Sequence, residues 1–286
     1  MISSLSASHR ISLLCEIFSV SRSSYYAYMS GKSYRQSLAQ QLQSDRVFSI
    51  FWDHKRRYGA RRIQAELLDE GIFMGRRRIR SIMKELGIKA IQPKSFVPKT
   101  TESCASKLRS PNLLLETDHA PSGINQVVVG DITYLPKTSG GWLYLCTWMD
   151  LFSRNVAGWK VDHNMEASIA IDSLKMFIRR RDPPRGMIIH SDGGRQFVAK
   201  NFRKLLRQNG LRQSMTRVDN HYDNAFAESL FSRLKAELFD EFPTFKDTED
   251  AKNKIFEYIE GYYNLKRKHS ALGYNSPKQF EDLLLL

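Results

Sequence analysis

Three acidic residues stand where a carboxylate could take part in catalysis. Asp131 follows a run of three valines and a glycine, and Asp192 follows the segment Met187–Ser191. Glu228 lies in an amphipathic segment, with 35 residues between it and Asp192. Open α/β folds place ligand sites at the carboxyl ends of their strands. We therefore expect the two aspartates at the ends of strands and the glutamate on a helix.

Such a set of carboxylates suits a divalent metal centre. Mg²⁺ takes oxygen ligands and is usually held by a few carboxylates together with substrate phosphates. Two ions about 3.5–4 Å apart can activate an attacking oxygen and stabilise a leaving oxygen at a phosphodiester. The chain has 30 Asp and Glu residues, so spacing alone selects no triplet. The flanking residues favour two Mg²⁺ ions, with Mn²⁺ as a substitute, held by Asp131, Asp192 and Glu228.

Residues near these acids suggest supporting roles. Gly193-Gly194 would let the backbone turn sharply beside a ligand. Lys235 lies seven residues beyond the glutamate, on nearly the same helix face, and could bind a DNA phosphate. Asn224, one turn before the glutamate, could reach the site or cap the helix. His190 would share a strand face with Asp192, where it could orient the aspartate, contact DNA or be structural.

Other acids near these segments are weaker candidates. Asp150 ends an apolar, aromatic run and has Arg154 close by, which favours a structural pair over a metal ligand. Asp219 and Asp223 are alternative acids before the glutamate's helix. Neither shares the face that carries Lys235, and Asp223 also competes with Asn224 to cap the helix.

Several segments together resemble a known family. They are DITY, MDLFSRNVAGW, HSDGGRQF, DNAFAES followed by F-x-x-LK-x-E, and the ending YYNLKRKHSALGYNSPKQF. In this order they resemble the second reading frame of insertion-sequence-3 transposases, which belong to the retroviral-integrase-like D,D,E recombinases. The resemblance covers about residues 45–282.

The resemblance implies a fold, a site and partners. It implies a ribonuclease-H-like integrase core, the catalytic triad Asp131, Asp192 and Glu228, and Lys235 as the basic residue of the helix. It implies action on double-stranded DNA by a homo-oligomer, through a copy-out, paste-in pathway with a circular intermediate. In this family the active enzyme is usually a fusion with an upstream frame that carries a leucine zipper. Residues 1–40 show no heptad run, so an upstream-frame protein is a possible partner.

The positive charge is concentrated in the N-terminal part of the chain. The net charge is +14, and residues 1–110 hold 20 Lys and Arg against 8 Asp and Glu, or +12. Clustered basic charge indicates an acidic partner, of which DNA is the commonest. Apolar runs stay below about 18 residues, so no membrane span is predicted. The three widely spaced cysteines fit a reducing cytoplasm and argue against a structural zinc site. For a protein that acts on DNA, we expect a bacterial cytoplasmic location in association with the nucleoid.

The basic region has the pattern of a helix-turn-helix. Residues 11–30 are predicted to form two short helices, with Ser21 or Ser23 capping the second. Residues 36–56 are predicted to form a helix whose apolar residues lie roughly on one face: Leu38, Leu42, Val47, Ile50 and Phe51. Two apolar stripes then flank the turn DEGIFMG: Ile63, Leu67 and Leu68, then Ile79, Ile82, Met83 and Leu86. DNA contacts are expected from Arg61, Arg62, Arg76, Arg77, Arg78 and Arg80. A solvated basic helix face is the alternative.

Element order predicts the rest of the fold. Residues 93–122, rich in Pro, Ser, Thr and Lys, are predicted as a basic linker, lying free or strapped to DNA. After it the pattern predicts three strands, a helix, a strand, a helix, a strand and the helix of Glu228. The fold class is α/β, a mixed five-stranded sheet flanked by helices and preceded by a small all-α domain. The predicted domains are 1–44, a helical segment; 45–92, helix-turn-helix-like; 93–122, linker; and 123–286, catalytic with a helical extension.

The C-terminal segment interleaves tyrosines with basic residues. Tyr258, Tyr262 and Tyr263 could stack on nucleic acid, although packing against the core is favoured for two of them. The basic run Lys266, Arg267, Lys268 and His269 is predicted to contact DNA.

These observations predict a DNA transposase that cleaves next to the 3′ ends of an insertion sequence and transfers the strands. Two alternatives stay open. A ribonuclease-H-like nuclease would cut without joining, but it would lack the basic N-terminal reader. A DNA-binding regulator derived from a transposase would not need the three acids, all of which are present.

Overall fold

The chain forms two compact units, Met1–Lys89 and Ala90–Leu286. The computed structural model describes residues 2–31, 37–93, 109–115, 121–217 and 224–285. None of the helices in these ranges is long and apolar enough to cross a membrane. Each unit has an apolar core of its own.

The N-terminal unit is helical. Its elements are α1 (Ile2–Leu5), α2 (Ile11–Ile17), α3 (Arg22–Met29), α4 (Leu38–Asp53), α5 (Ala60–Asp69) and α6 (Arg76–Glu85). Ser21 caps α3 by accepting a hydrogen bond from the backbone N–H of Ser24, and Ser37 with Gln40 forms a capping box on α4. These side chains satisfy N–H groups that a helix start leaves without partners. The predicted boundary between residues 44 and 45 falls inside α4.

Helices α4, α5 and α6 share one apolar core. It contains Val47, Ile50, Phe51, Tyr58, Ile63, Leu67, Ile79, Ile82 and Met83. The predicted stripes are therefore confirmed in their inner residues. They are wrong for Leu38 and Leu42, which are 72% and 61% exposed, because burial of apolar residues in α4 begins only at Val47. Leu68 and Leu86, at the outer ends of their stripes, are exposed as well.

The C-terminal unit is built on a mixed five-stranded sheet. The strands are β1 (Val127–Pro136), β2 (Trp142–Asp150), β3 (Val156–Asp162), β4 (Ile188–Ser191) and β5 (Arg212–Met215), in the spatial order β3-β2-β1-β4-β5. The pairs β1–β2 and β2–β3 are antiparallel, whereas β1–β4 and β4–β5 are parallel. Parallel pairs need crossover connections, which the intervening helices provide.

Helices cover both faces of the sheet. They are α7 (Ala167–Arg181), α8 (Arg195–Val198), α9 (Lys200–Gln208), α10 (Ala225–Phe239), α11 (Thr248–Phe256), a π-helix (Glu257–Tyr263), a 3₁₀ helix (Ser270–Leu272) and α12 (Pro277–Leu283). One core holds α7, α8 and α9 against the sheet, and the other holds α10, α11 and the π-helix. The predicted element order is confirmed, with α8 as one additional short helix.

Part of the predicted linker belongs to the catalytic unit. Residues 109–115 run beside β5, where the N–H of Met215 donates to the carbonyl of Pro111 and the N–H of Leu113 donates to Ser214 Oγ. Leu113 is buried in the core. The linker prediction is therefore wrong for these residues, because a buried leucine and backbone hydrogen bonds fix them to the sheet. Residues 94–108 and 116–120 lie outside the described ranges.

The C-terminal basic run divides into buried and exposed residues. Arg267 and Lys268 are only 2% and 4% exposed, and Arg267 forms a bidentate ion pair with Glu237 of α10, at 2.6 Å for its shortest contact. The prediction that these two residues contact DNA is therefore wrong, because their side chains are enclosed by the protein. Lys266 is exposed and His269 half-buried, against the ring of Tyr263. Tyr258 and Tyr263 are buried, as core packing requires.

Candidate active site

Asp131 lies in the middle of β1, and Asp192 directly follows β4, the parallel strand beside it. The expected position at a strand end is therefore confirmed for Asp192 and wrong for Asp131, because β1 continues to Pro136 in its pairing with β2. The pairing of β1 with β4 sets Val129 opposite His190, so two residues further along Asp131 is level with Asp192. Asp131 Oδ1 accepts a hydrogen bond from the N–H of Ile132 at 2.7 Å. The sheet thus brings to one place two carboxylates that are 61 positions apart in the sequence.

The turn after β4 holds the second aspartate. Asp192 Oδ1 accepts a hydrogen bond from the N–H of Gly194 at 3.0 Å, a local arrangement that Asp side chains commonly form in turns. Gly194 then begins α8. One carboxylate oxygen of each aspartate is therefore fixed by a backbone N–H, and the second oxygen of each can serve as a ligand.

The charges of the site act on one another. Burial raises the pKa of Asp131 well above its ordinary value, the negative charge of Asp192 raises it further, and Glu228 adds a smaller effect of the same sign. The positive charge of Lys235 opposes these effects. Burial also raises the pKa of Asp192, against the hydrogen bond from Gly194 and the charge of Arg109. The structure therefore brings all three predicted acids and the predicted lysine into electrostatic range.

Helix α10 supplies the third acid and the lysine. Glu228 is exposed in the first turn of α10. The positive end of the helix dipole stabilises its negative charge there. Lys235 is half-buried two turns later, and burial lowers its pKa while the charge of Asp131 opposes that shift. Leu230, Phe231 and Leu234 anchor the helix in the core. Apolar packing of α10 thus places the carboxylate of Glu228 and the ammonium group of Lys235 within electrostatic range of Asp131.

The donor set fits a hard divalent cation in charge and in ligand type. Within the described ranges no three His, Cys, Asp or Glu side chains lie close enough together to hold a metal ion unaided. Mg²⁺ keeps several waters and shares its coordination with substrate phosphates, so it needs few protein ligands. The mutual repulsion of the carboxylates around Asp131 is the kind of strain that a bound cation would relieve. Asp131, Asp192 and Glu228 are the residues that would hold it.

The two supporting candidates are both buried. His190 Nδ1 lies 2.8 Å from Ser214 Oγ on the adjacent strand, within hydrogen-bonding distance inside the sheet. Of the three roles considered for His190, this contact favours the structural one. Asn224 precedes α10, yet its side chain makes no capping hydrogen bond. Its Oδ1 atom has no hydrogen-bond partner within the described part of the chain. Asp219 and Asp223, the alternative acids, lie outside that part.

Asp150 has the predicted structural role, but its hydrogen bonds come mainly from backbone N–H groups and not from the side chain of Arg154. It is fully buried, and its carboxylate accepts hydrogen bonds from the backbone N–H groups of Asn125, Phe152 and Ser153, at 2.7, 3.0 and 2.8 Å. The guanidinium of Arg154 lies over the ring of Phe226, 4.3 Å from its centroid, and the negative charge of Asp150 acts favourably on it. Asp150 therefore closes the turn after β2 and takes no part in the acidic cluster.

The N-terminal arginines lie on and beside one exposed helix face. Arg76, Arg77 and Arg80 are exposed on α6, and Arg78 lies 3.9 Å from Glu85 on the same helix. On α5, Arg61 is exposed, while Arg62 is half-buried with its guanidinium 5.6 Å from the centroid of the Tyr58 ring. Since Ile79, Ile82 and Met83 bury the opposite side of α6, the basic side is the one free to meet a ligand.

One residue near the acids was not predicted from the sequence. Arg109 lies in the aperiodic stretch 93–122, and no motif or spacing marks it. The structure places its guanidinium against Gly193, beside Asp192. Only the packing of residues 109–115 along β5 reveals this contact.

Comparisons with known proteins agree with this architecture. Family models described as "Integrase core domain" match residues 121–221 and 228–285, and one described as "HTH-like domain" matches residues 37–96. Together with the fold, these matches define a protein with an integrase-like core and an HTH-like domain. A simian T-cell lymphotropic virus intasome, solved by cryo-electron microscopy in complex with PP2A regulatory subunit B56 gamma, is similar with a TM-score of 0.47 and 18% identity, over 76% of this chain and 69% of that one.

Sequence relatives define the family. The transposase for insertion sequence element IS904 of Lactococcus lactis subsp. lactis (strain IL1403) is 36% identical, over 86% of this chain and 96% of its own length. Transposase InsF for insertion sequence IS3A of Escherichia coli (strain K12) is 37% identical, over 96% and 95%. The chain therefore belongs to the insertion-sequence-3 family of transposases.

Asp131→Asn is expected to stabilise the metal-free protein. The pKa of Asp131 is raised in the folded state, so its ionisation costs folding free energy as the pH rises above the unfolded value of 3.8. The gain should therefore be largest near pH 7 and shrink as the pH falls toward about 4. Thermal unfolding in a chelator, at several pH values, measures it.

Asp150→Asn is the matched control. The carboxylate of Asp150 is buried and accepts hydrogen bonds from three backbone N–H groups. Its replacement should therefore lower the melting temperature. A lowered melting temperature for both variants at pH 7 would contradict the electrostatic interpretation of the acidic cluster.

Proposed function

We propose that this transposase cuts and joins DNA with Asp131, Asp192 and Glu228 as a D,D,E catalytic triad. The observation that carries the proposal is the electrostatic coupling of the three carboxylates around Asp131. The parallel register of β1 and β4 supports it, since that register aligns the two aspartates. The enzyme would be a polynucleotidyl transferase, which is the chemistry that such a cluster serves.

Two Mg²⁺ ions, or Mn²⁺ in their place, would activate the attacking oxygen and stabilise the leaving oxygen when bound. Asp131 would hold them from the middle of β1, Asp192 from the turn after β4, and Glu228 from α10. Their fixed positions would align the phosphodiester for in-line attack, which is how positioning lowers the barrier. No covalent protein nucleophile is needed for this route.

The proposed reaction has two steps at one site. In the first, a water oxygen bonds to phosphorus next to the 3′ end of the element and the bond from phosphorus to the 3′ oxygen breaks, leaving a 3′-hydroxyl and a 5′-phosphate. In the second, that 3′-hydroxyl bonds to a target phosphorus and loses its proton. A target 3′ oxygen then leaves as a hydroxyl, so one phosphodiester replaces another.

Basic residues would hold the DNA. Lys235, half-buried beside the triad, is proposed to bind a phosphate of the element's end as a point charge. The exposed arginines of α5 and α6 are proposed to contact double-stranded DNA, with α6 in the major groove. Lys266 and His269 could add backbone contacts, whereas the buried Arg267 and Lys268 could not.

The assembly and setting of the reaction are proposals too. One triad can act on one strand at a time, and an element has two ends, so we expect a homo-oligomer on DNA in the cytoplasm, at the nucleoid. An upstream-frame protein could be a further component. Sizing the protein with and without DNA carrying the element's ends tests this, and a single copy per joined pair of ends would contradict it.

Glu228→Gln should abolish both cleavage and joining of labelled DNA that carries the element's ends, in Mg²⁺. A loss of at least about 10³-fold is expected, because the substitution removes a ligand of the metals that the mechanism needs. The control is Glu249→Gln, which changes another exposed glutamate in the first turn of a helix, α11, and should keep wild-type rates.

The products separate the possible functions. Cleavage without joining by the wild type would favour a nuclease. DNA binding without either step would favour a regulator or a missing partner. Equal activity of wild type and Glu228→Gln would contradict the triad.

The double substitution Arg77→Ala with Arg80→Ala should weaken binding to double-stranded DNA, more at low salt than at high. Each lost phosphate contact reduces the slope of log K against log salt by about 0.9, so the slope should fall by about 2. Fluorescence anisotropy at several salt concentrations measures it. Arg179→Ala, an exposed arginine of α7, is the control, and an unchanged slope in the double variant would contradict the assignment.

A further inference from the structure

Arg109 joins two parts of the catalytic unit that the sequence keeps far apart. Its Nη2 atom donates to the backbone carbonyl of Thr216 at 2.7 Å and lies 3.3 Å from Thr216 Oγ1. Thr216 directly follows β5, and its own N–H donates to the carbonyl of Ser191, the last residue of β4. The arginine is thus tied to the end of the strand that leads into the Asp192 turn.

The guanidinium also packs directly on that turn. A methyl group built on Gly193 would lie 2.4 Å from Arg109 Cζ and 2.6 Å from its Nη1, closer than real contacts allow. The contact therefore requires a residue without a side chain at position 193. This gives a physical reason for the glycine that follows Asp192, and Gly193 does not have a positive φ that would require one.

The charge of Arg109 faces the acidic cluster. Nη1 is buried and donates to no residue of the described ranges, which is costly for a cation without a nearby negative charge. The positive charge acts favourably on the ionised carboxylate of Asp192. Attraction to that carboxylate compensates for part of the burial cost and draws the turn and the arginine together.

We propose that Arg109 is a positioning residue, which clamps the Asp192–Gly194 turn to the end of β5 and thereby presents Asp192 to the metal. The inference rests on the proposed function, because it concerns how one of the three proposed ligands is held. Both terminal nitrogens of Arg109 are held within the protein, Nη2 by Thr216 and Nη1 in a buried position. Groups that orient a ligand in this way typically contribute 10–100-fold to metal affinity or activity.

The test is a titration of the full chain with Mg²⁺ and, separately, with Mn²⁺. Two quantities are followed: the rise in melting temperature, which reports metal binding without activity, and the rate of strand joining. For Arg109→Gln we expect the metal concentration that gives a set rise in melting temperature, and the concentration that gives half-maximal joining, each to increase about 10-fold or more. Arg109→Lys, which keeps a charge but loses the planar contact, should recover part of the loss.

A control separates positioning from stability. Arg181→Met removes a half-buried arginine that is paired with Glu281 in the same unit, so it should lower the melting temperature while leaving the metal concentrations for a set rise in melting temperature and for half-maximal joining unchanged. Gly193→Ala should reproduce the metal defect, because its methyl group would displace the guanidinium. In the double variant, Gly193→Ala should add little to the metal defect of Arg109→Gln, because both changes break the same contact.

The outcomes distinguish this inference from the function beneath it. If the wild type responds to metal and Arg109→Gln and Gly193→Ala respond at the same concentrations, Arg109 has no positioning role and the inference is wrong. If the wild type shows neither a metal-dependent shift nor joining, the proposed metal-dependent function is itself contradicted.

Discussion

The parallel pairing of β1 with β4 is the constraint on which the rest of the active centre depends. It aligns Asp131 with Asp192 through the register that pairs Val129 with His190, and it brings two negative charges together on inner strands of the sheet. On the other side of β1, Gly130 lets Trp148 of β2 pack closely, because a Cβ there would lie 2.2 Å from the ring of Trp148. The strand that carries the first aspartate can therefore pack tightly over the core beneath α7, α8 and α9.

The unit stabilises this charge from several directions. Apolar packing of α10 sets Glu228 and Lys235 toward the aspartates, and the ion pair of Arg267 with Glu237 fixes the other end of the same helix to the chain after the π-helix. Arg109 adds a cation behind the Asp192 turn. Basic residues of the C-terminal unit thus serve two purposes: some hold helices in place, and others balance the carboxylates.

Much of the fold and the triad could be predicted because the signals are local. Three valines before Asp131, the Met-Ile-Ile run before Asp192 and the helical period around Glu228 each place an acid on an element. Solvent exposure is not local in this way. Arg267 is buried because Glu237, 30 positions earlier, receives it. Arg109 escaped prediction for the same reason, since its partners Gly193 and Thr216 lie on elements that only the folded sheet brings near.

The central claim, one metal centre shared by Asp131, Asp192 and Glu228, is tested most directly by anomalous X-ray diffraction from crystals grown with Mn²⁺ and DNA carrying the element's ends. We expect two manganese peaks about 3.5–4 Å apart, both within about 2.5 Å of oxygens of these three side chains and next to the scissile phosphate. A DNA complex in which manganese binds other residues, and none of the three carboxylates is a ligand, would contradict the shared metal centre.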